Sequence, residues 1–213
     1  MTANPGLVGL VLAAAFFIAP ALSAGLPDMP TAPDEIVAMA SGALWDHPGS
    51  PVMGNPRGNV VVVEFFDYNC PYCRAVEPRL EALLKSDHGV KLVLKEFPIL
   101  TPQSRLATNA AFAAARQGKY APFHNALMNY HGMVDETAVF DTAKQVGLNV
   151  ARLKTDMASP EIPEQIIANL NLARALRLFQ TPSFIVGTHV LTGPSAEIDF
   201  PRAVAAARAR KKA

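Results

Sequence analysis

Cysteine is scarce in this chain of 213 residues: Cys70 and Cys73 are the two it has. A single pair is no disulfide framework, so the core must come from apolar burial, and any disulfide within one molecule joins those two residues. Excess charge of either sign is lacking too, with 19 Lys and Arg against 18 Asp and Glu for a formal net charge of +1. The basic residues are scattered apart from the closing Arg208, Arg210, Lys211 and Lys212, where cations complement the end of a helix. Without a wide basic face, a nucleic-acid partner is excluded. The ligand spacing of a zinc site is missing, since His124 and His131 lie 7 apart and about 50 residues beyond Cys73. The seven methionines are scattered rather than grouped with histidine as in a copper carrier. No metal and no organic cofactor is expected.

Charged side chains are also absent before Asp28. Within that stretch Gly6 to Ala19 is small and apolar throughout, followed by Pro20 and Ala21-Leu22-Ser23-Ala24. This is the pattern of a secretory signal over residues 1–23, with cleavage after Ser23 or Ala24. The basic residues that usually open such a signal are missing, and Gly6–Ala24 is long enough to serve instead as an uncleaved anchor in the inner membrane. Both readings place the remainder in the periplasm, where disulfides persist.

Half of the residues are apolar, enough to bury one ordinary core. Residues 24–57 read as an arm carrying Pro27, Pro30 and Pro33, a short amphipathic helix over Asp34–Leu44 and a turn-rich loop over Asp46–Gly58. From 58 to 213 a single domain is expected. Val60–Phe66 is apolar on both faces, as a buried central strand is. A helix follows from about Cys70 to Ser86, then a strand over Val90–Phe97. Residues 101–179 are helical almost throughout: Ser104–Arg116, Tyr120–Tyr130, a helix from Asp135 with Gly147 behind it, Asn149–Ala158 and Pro163–Leu178. A hairpin of Ser183–Val186 and His189–Leu191 and a last helix over Asp199–Arg210 close the chain. This order predicts an α/β, thioredoxin-like fold with an inserted helical subdomain.

The two cysteines sit together as Cys70-Pro71-Tyr72-Cys73, directly behind the first strong strand. A helix start offers unpaired N–H groups and partial positive charge, which stabilise a thiolate. Cys70 is at that start and is expected to be the exposed, attacking sulfur. Cys73, one turn on, faces inward. Pro71 costs no hydrogen bond at the first helical position. Tyr72 brings no charge, so the Cys70 pKa is expected to be lowered but not extreme. Half a zinc site, an inert buried pair and a soft Cu(I) site are the other readings; the missing second ligand pair and the strand-to-helix position argue against the first two.

The string Val63-Glu64-Phe65-Phe66-Asp67-Tyr68-Asn69-Cys70-Pro71-Tyr72-Cys73 resembles the active-site segment of the DsbA-like thiol:disulfide oxidoreductases, exported members of the thioredoxin superfamily. Lys95-Glu96-Phe97-Pro98-Ile99 and Thr181-Pro182-Ser183-Phe184 agree in order, and the similarity runs from about Leu44 to the C-terminus. The resemblance implies Cys70 as nucleophile and Cys73 as resolving thiol. It implies Thr181-Pro182 as a cis-proline loop facing them, which would crowd a copper ion. It makes Glu64 the buried acid that handles the inner thiol's proton, and Lys95 and Glu77 charged partners of the site. Glu77 equally suits a solvated helix face. Glu64 does not, because a carboxylate among valines and phenylalanines needs a reason to be there. Asp67 suits a turn stabiliser, and Trp45 a residue packing the arm.

The implied activity is that of a disulfide-donating oxidase working on protein thiols and recycled by a membrane redox partner. A reductase or isomerase would use the same residues in reverse. Only about 35 residues separate the cleavage zone from the first strand, too few for a dimerisation domain, so a monomer is expected.

Overall fold

The computed structural model describes residues 1, 34–192 and 198–211; the leader and the proline-rich arm lie outside the described residues. Two apolar strands set the architecture. β2 (Val60–Phe66) and β3 (Val90–Glu96) run parallel at the centre of a sheet that also holds β1 (Val52–Gly54), β4 (Ser183–Val186) and β5 (His189–Leu191). The strand order is β1-β3-β2-β4-β5, and every neighbouring pair except β2–β3 is antiparallel.

Alternation along each strand assigns its side chains to two faces. Val60, Val62, Glu64 and Phe66 share one face with Val90, Leu92, Leu94 and Glu96, their register partners. The apolar members of that set belong to the larger core cluster. Against this face pack α3 (Pro71–Ser86), α9 (Phe200–Arg210) and the helical block of α4 (Pro102–Ala115), α5 (Tyr120–Met128), α6 (Glu136–Gln145) and α7 (Val150–Met157). Val63, Phe65 and Val93 point the other way, onto Val37 of α1 (Asp34–Met39), Leu44 of α2 (Ser41–Trp45) and the end of α8 (Glu161–Ala175). A central strand buried on both faces has no need of a polar alternation, which is why β2 is a nearly continuous valine and phenylalanine run.

The helix starts follow from the sequence. Cys70, Thr101, Asp135, Asn149 and Asp199 each accept the backbone N–H three residues on, satisfying one orphan donor per helix. Gly147, at φ +72, takes the left-handed conformation behind α6.

Two expectations are corrected. The helix over Asp34–Leu44 is two short helices, broken at Ala40, just before the poor helix formers Ser41 and Gly42. The loop over Asp46–Gly58 contains β1, which pairs with β3 from Val52↔Val93 to Gly54↔Lys91. A three-residue edge strand between Pro51 and Pro56 carries too little periodicity to stand out. Trp45 packs on the second-face cluster.

Candidate active site

β2 ends in the turn Asp67-Tyr68-Asn69, which delivers Cys70 as the N-cap of α3. Asp67 holds that turn: Oδ1 accepts from the Asn69 N–H at 2.8 Å, and Oδ2 accepts from the N–H groups of Ile99 and Leu100, both at 3.0 Å. The turn is thereby tied to the segment leaving β3. The Cys70 sulfur accepts the Cys73 N–H at 3.4 Å. On its other side it donates to the Thr181 carbonyl at 3.3 Å, across a peptide bond to Pro182 that is cis. This contact with a residue 111 positions away covers the sulfur, so Cys70 is 2% exposed and not the open thiol expected of an attacking group. Tyr72, by contrast, is 62% exposed.

The two thiols are driven apart. Cys70 is lowered to about 6, first by a hydrogen bond from the Cys73 thiol and then by the Thr181 hydroxyl and the N–H groups of Cys73 and Tyr72, against the opposing effect of burial. The Thr181 hydroxyl has no partner among the described residues while Cys70 is a thiol, so it is placed to donate once the sulfur is ionised. Cys73 is pushed far above the ordinary thiol range by burial, by its hydrogen bond to Cys70 and by the charge of Glu64.

Glu64 faces the dithiol from β2. It is fully buried, and neither carboxyl oxygen has a hydrogen-bond partner among the described residues. Burial, followed by the charges of Glu77, Cys70 and Glu96, raises its pKa well above the usual carboxylate value. An unpartnered acid in such a place is kept protonated by its surroundings.

The chain matches the DSBA-like thioredoxin domain over residues 61–204. It belongs to that family. Among solved structures it is similar to a thioredoxin-like oxidoreductase from Silicibacter pomeroyi DSS-3, at 44% identity and a TM-score of 0.75 over 81% of this chain and 98% of that one. It is 28% identical over 156 residues to the thiol:disulfide interchange protein DsbA of Bordetella parapertussis, covering 68% of this chain and 71% of that protein. It is also 28% identical over 145 residues to a protein of Salinispora tropica named Na(+)/H(+) antiporter NhaA 3. That match takes in 67% of this chain but spans only 22% of the length of the relative. The α/β sheet with its inserted helices is thus a DsbA-like thioredoxin fold.

Within this DsbA-like frame the two expected charged partners separate: Glu77 lies beside the site, where its charge acts on Glu64, and Lys95 does not. Glu77 is 2% exposed and not on a solvated face; its Oε1 lies 3.7 Å from Nε2 of His124. Lys95 is not a partner of the dithiol. It pairs with Phe65 in register and so lies on the opposite face of the sheet from Glu64. There its ammonium donates to the Ala43 carbonyl and the Ser50 hydroxyl, each at 2.6 Å. Burial, aided by the nearby Lys91, lowers its pKa to about 8.

The neighbour of Lys95 takes the place beside the site. Glu96 is buried on the Glu64 face, where its Oε1 accepts from the hydroxyls of Tyr68 and Tyr120, both at 2.9 Å, and its Oε2 from Thr108 at 2.8 Å. Burial raises Glu96 to about 8 despite those three donors. Sequence reasoning passed over Glu96, Tyr68, Tyr120, Thr108 and His124. The alternation that singles out Glu64 extends to Glu96 once β2 and β3 are set in register, but nothing local brings the other four to it.

Arg74 and Asn69 fasten the loop after α5 to the cysteine turn. Arg74 donates to the carbonyls of Tyr68, Tyr130 and Gly132 at 2.8, 3.1 and 2.6 Å, while Asn69 exchanges two hydrogen bonds with the Val134 backbone. The site therefore combines a stabilised sulfur, a second thiol that resists ionisation, a protonated acid and a fixed backbone carbonyl. Such a set can accept and release a disulfide with the protons accounted for.

Proposed function

We propose that the protein is an exported thiol:disulfide oxidoreductase that donates the Cys70–Cys73 disulfide to protein thiols. The observation that carries this reading is the split between the cysteines: Cys70 is lowered to about 6 at the helix start, while Cys73 is held neutral behind it.

In the oxidised protein a substrate thiolate attacks the Cys70 sulfur. The Cys70–Cys73 bond breaks, and the pair of electrons stays on the Cys73 sulfur, which takes a proton from the Glu64 carboxyl. A second substrate thiolate then attacks the substrate sulfur of the mixed disulfide, and Cys70 leaves as a thiolate stabilised by the Cys73 thiol and the helix start. The substrate has lost two electrons and the dithiol has gained them. Stabilising the reduced form this way makes the disulfide the more oxidising partner. The cysteine pair itself carries the electrons, so the reaction calls for no cofactor, and a membrane redox partner more oxidising than this disulfide would take up the two electrons and restore it.

Protein substrates suit the surface. Tyr72, Leu100, Met133 and Phe179 are exposed apolar side chains on segments adjoining Cys70 and Thr181, a setting for an extended, partly unfolded chain laid along the Thr181 backbone. Export is supported by the charge-free apolar start of the chain. Among the described residues no helix is long and apolar enough to cross a membrane.

The test is transfer of a disulfide from the oxidised full chain to a reduced, unfolded protein, combined with acid-quenched thiol tagging in cells. One disulfide delivered per chain and a mostly oxidised pair in cells are expected. An unreacted client, or a pair found mostly as the dithiol, would replace the oxidase by a reductase or isomerase.

A further inference from the structure

Four buried side chains stand in a row behind the dithiol. The Tyr68 hydroxyl lies 2.9 Å from Glu96 Oε1 and 3.1 Å from His124 Nδ1, and His124 Nε2 faces Glu77 Oε1 at 3.7 Å. The His124 ring is stacked on Tyr120 and meets Phe66 and Tyr68 edge-on, so its nitrogens stay aimed at Tyr68 and Glu77. His124 Nε2 and Glu77 Oε2 both lack a hydrogen-bond partner among the described residues. Two unsatisfied polar groups buried side by side are costly unless they meet in some state of the protein. The 3.7 Å between Nε2 and Oε1 is a few tenths of an ångström beyond hydrogen-bond length, so the row closes when carboxyl and imidazole approach by about that much.

The hydrogens of this row depend on one another, because a phenol has one proton and a neutral imidazole has one. In one arrangement Glu96 is the acid: it donates to Tyr68, Tyr68 donates to Nδ1, and the Nε2–H faces a Glu77 carboxylate. In the other Glu77 is the acid: it donates to Nε2, the Nδ1–H donates to Tyr68, and Tyr68 donates to a Glu96 carboxylate. Both arrangements contain the same protons. Passing from the first to the second moves one proton from Glu96 to Glu77 by hops through Tyr68 and His124. One negative charge moves the opposite way, and no electron is transferred.

The two ends of the row are not equivalent. Among the neighbouring charges that act on Glu64, that of Glu77 is the largest and that of Glu96 is smaller. A carboxylate at Glu96 is also held by three hydroxyl donors, whereas among the described residues Glu77 faces the imidazole at 3.7 Å. We propose that Tyr68 and His124 form a proton wire that carries buried negative charge from Glu77 to Glu96 when Glu64 gives its proton to Cys73. This rests on the reading of Glu64 given above. His124 and Tyr68 are positioning residues here: they touch no reacting sulfur, and they act by clearing a charge from beside the newly formed Glu64 carboxylate. The titratable groups facing His124 are Glu77 from α3, Tyr68 from the turn after β2 and Tyr120 from α5, with Glu96 of β3 and Glu64 of β2 behind them; α4 supplies Thr108, a hydroxyl that stays neutral.

The test is a time-resolved infrared difference spectrum of the full chain, recorded as dithiothreitol opens the disulfide, in the region of protonated carboxyl groups. It is read together with the pH profile of the rate at which dithiothreitol opens the disulfide. The wild-type protein is expected to lose the Glu64 band transiently, until solvent returns the proton, and to show over the same interval a further pair of opposite sign, a Glu96 acid lost and a Glu77 acid gained, assigned with Glu96→Gln and Glu77→Gln. Tyr68→Phe keeps the ring and its edge contacts but breaks the wire. It should keep the Glu64 band, lose the pair and open about tenfold more slowly, the equivalent of one pH unit of proton affinity. His124→Asn breaks the same row at a second point and must lose the same pair. A Tyr68→Phe protein with the wild-type spectrum and pH profile would overturn the wire. Glu64→Gln separates the two ideas: if it leaves opening unchanged, the role of Glu64 falls and the wire with it. If it slows opening while Tyr68→Phe does not, the wire alone falls.

Discussion

Lys95 and Glu96 are consecutive in one strand and equally buried, yet they serve different halves of the molecule. The Lys95 ammonium is met by a carbonyl of α2 and a hydroxyl of the loop behind it, so it fastens the amino-terminal helices to the sheet. The Glu96 carboxyl is met by three hydroxyls on the other face, in the row that leads back towards Glu64 and the cysteines. A strand turns successive residues to opposite faces, so a buried charge points to chemistry only when its face is known. The contrast is also one of satisfaction. Lys95 has its partners, whereas Glu64 and one oxygen of Glu77 have none among the described residues. On the fastening face the buried charge meets its hydrogen-bond partners, and on the site face buried carboxyl oxygens are left without them.

The sharpest break of this comparison is a pair of substitutions with opposite signatures. Cys70→Ser is expected to drop disulfide exchange to the uncatalysed background while leaving unfolding by urea little changed. Lys95→Ala should do the reverse. It leaves the Ala43 carbonyl and Ser50 hydroxyl without a donor and opens a void, costing about 3 kcal/mol of stability, with exchange per folded molecule retained. Loss of exchange in Lys95→Ala at full folding would return Lys95 to the site.

Glu64→Gln comes next in size. Removing the proton donor for Cys73 should slow disulfide opening about 100-fold, within the range of general acid catalysis. The same change should stabilise the protein, and the sign follows from linkage. The folded pKa of Glu64 is raised by burial, then by Glu77 and Cys70, so the folded state holds its proton more tightly than the unfolded one. Stability from that group is complete below 4.5, the ordinary value, and is lost as pH rises through the folded pKa. The variant has no such loss, so its advantage grows with pH in urea titrations.

The two neighbouring strand residues should leave opposite limbs on the pH–stability curve of the oxidised protein, where Cys70 does not titrate. Glu96 is raised from 4.5 to about 8, so its contribution falls across that interval. Lys95 is lowered from 10.5 to about 8, so its buried charge is a burden below about 8 that lifts as pH climbs towards 10.5. Each limb has a limiting slope of about 1.4 kcal/mol per pH unit, one proton's worth. Glu96→Gln should make the falling limb shallower, leaving the share that belongs to Glu64, and Lys95→Met should remove the rising one; an unchanged curve in either variant would contradict the assignments.

What could be read in the amino acids alone divides along the same line. The strand, the helix start and the cysteine spacing are local, so Cys70, Cys73 and the central sheet were legible. Glu64 was legible because an acid inside an apolar run is anomalous wherever it lies. Lys95 was misplaced because its face depends on the pairing of Phe65 with Lys95, a fact about two strands rather than one. β1 was missed because three residues are too few to show a period. The Glu77–His124–Tyr68–Glu96 row draws on α3, α5, a turn and β3, and its members look like ordinary helix and loop residues until the chain is folded. The cis Thr181–Pro182 bond was anticipated through family resemblance, not through any property of the dipeptide.

The smallest effect belongs to a residue outside both buried faces. Tyr72 lies between the cysteines but is largely exposed, so a charge placed there acts on the Cys70 sulfur through solvent-screened space. Tyr72→His would bring an imidazolium towards the thiolate and lower the Cys70 pKa below its present value of about 6. Because the reduced protein is then stabilised further, the disulfide becomes more oxidising, by about 30 mV for each pK unit gained. Screening should hold the change to about that figure or less, measured by equilibration with glutathione and by the thiolate absorbance of Cys70 across pH. A shift several times larger would mean that the main control of the sulfur lies in this exposed dipeptide. A small one leaves that control with the buried donors around Cys70: the Cys73 thiol, the Thr181 hydroxyl and the helix-start N–H groups.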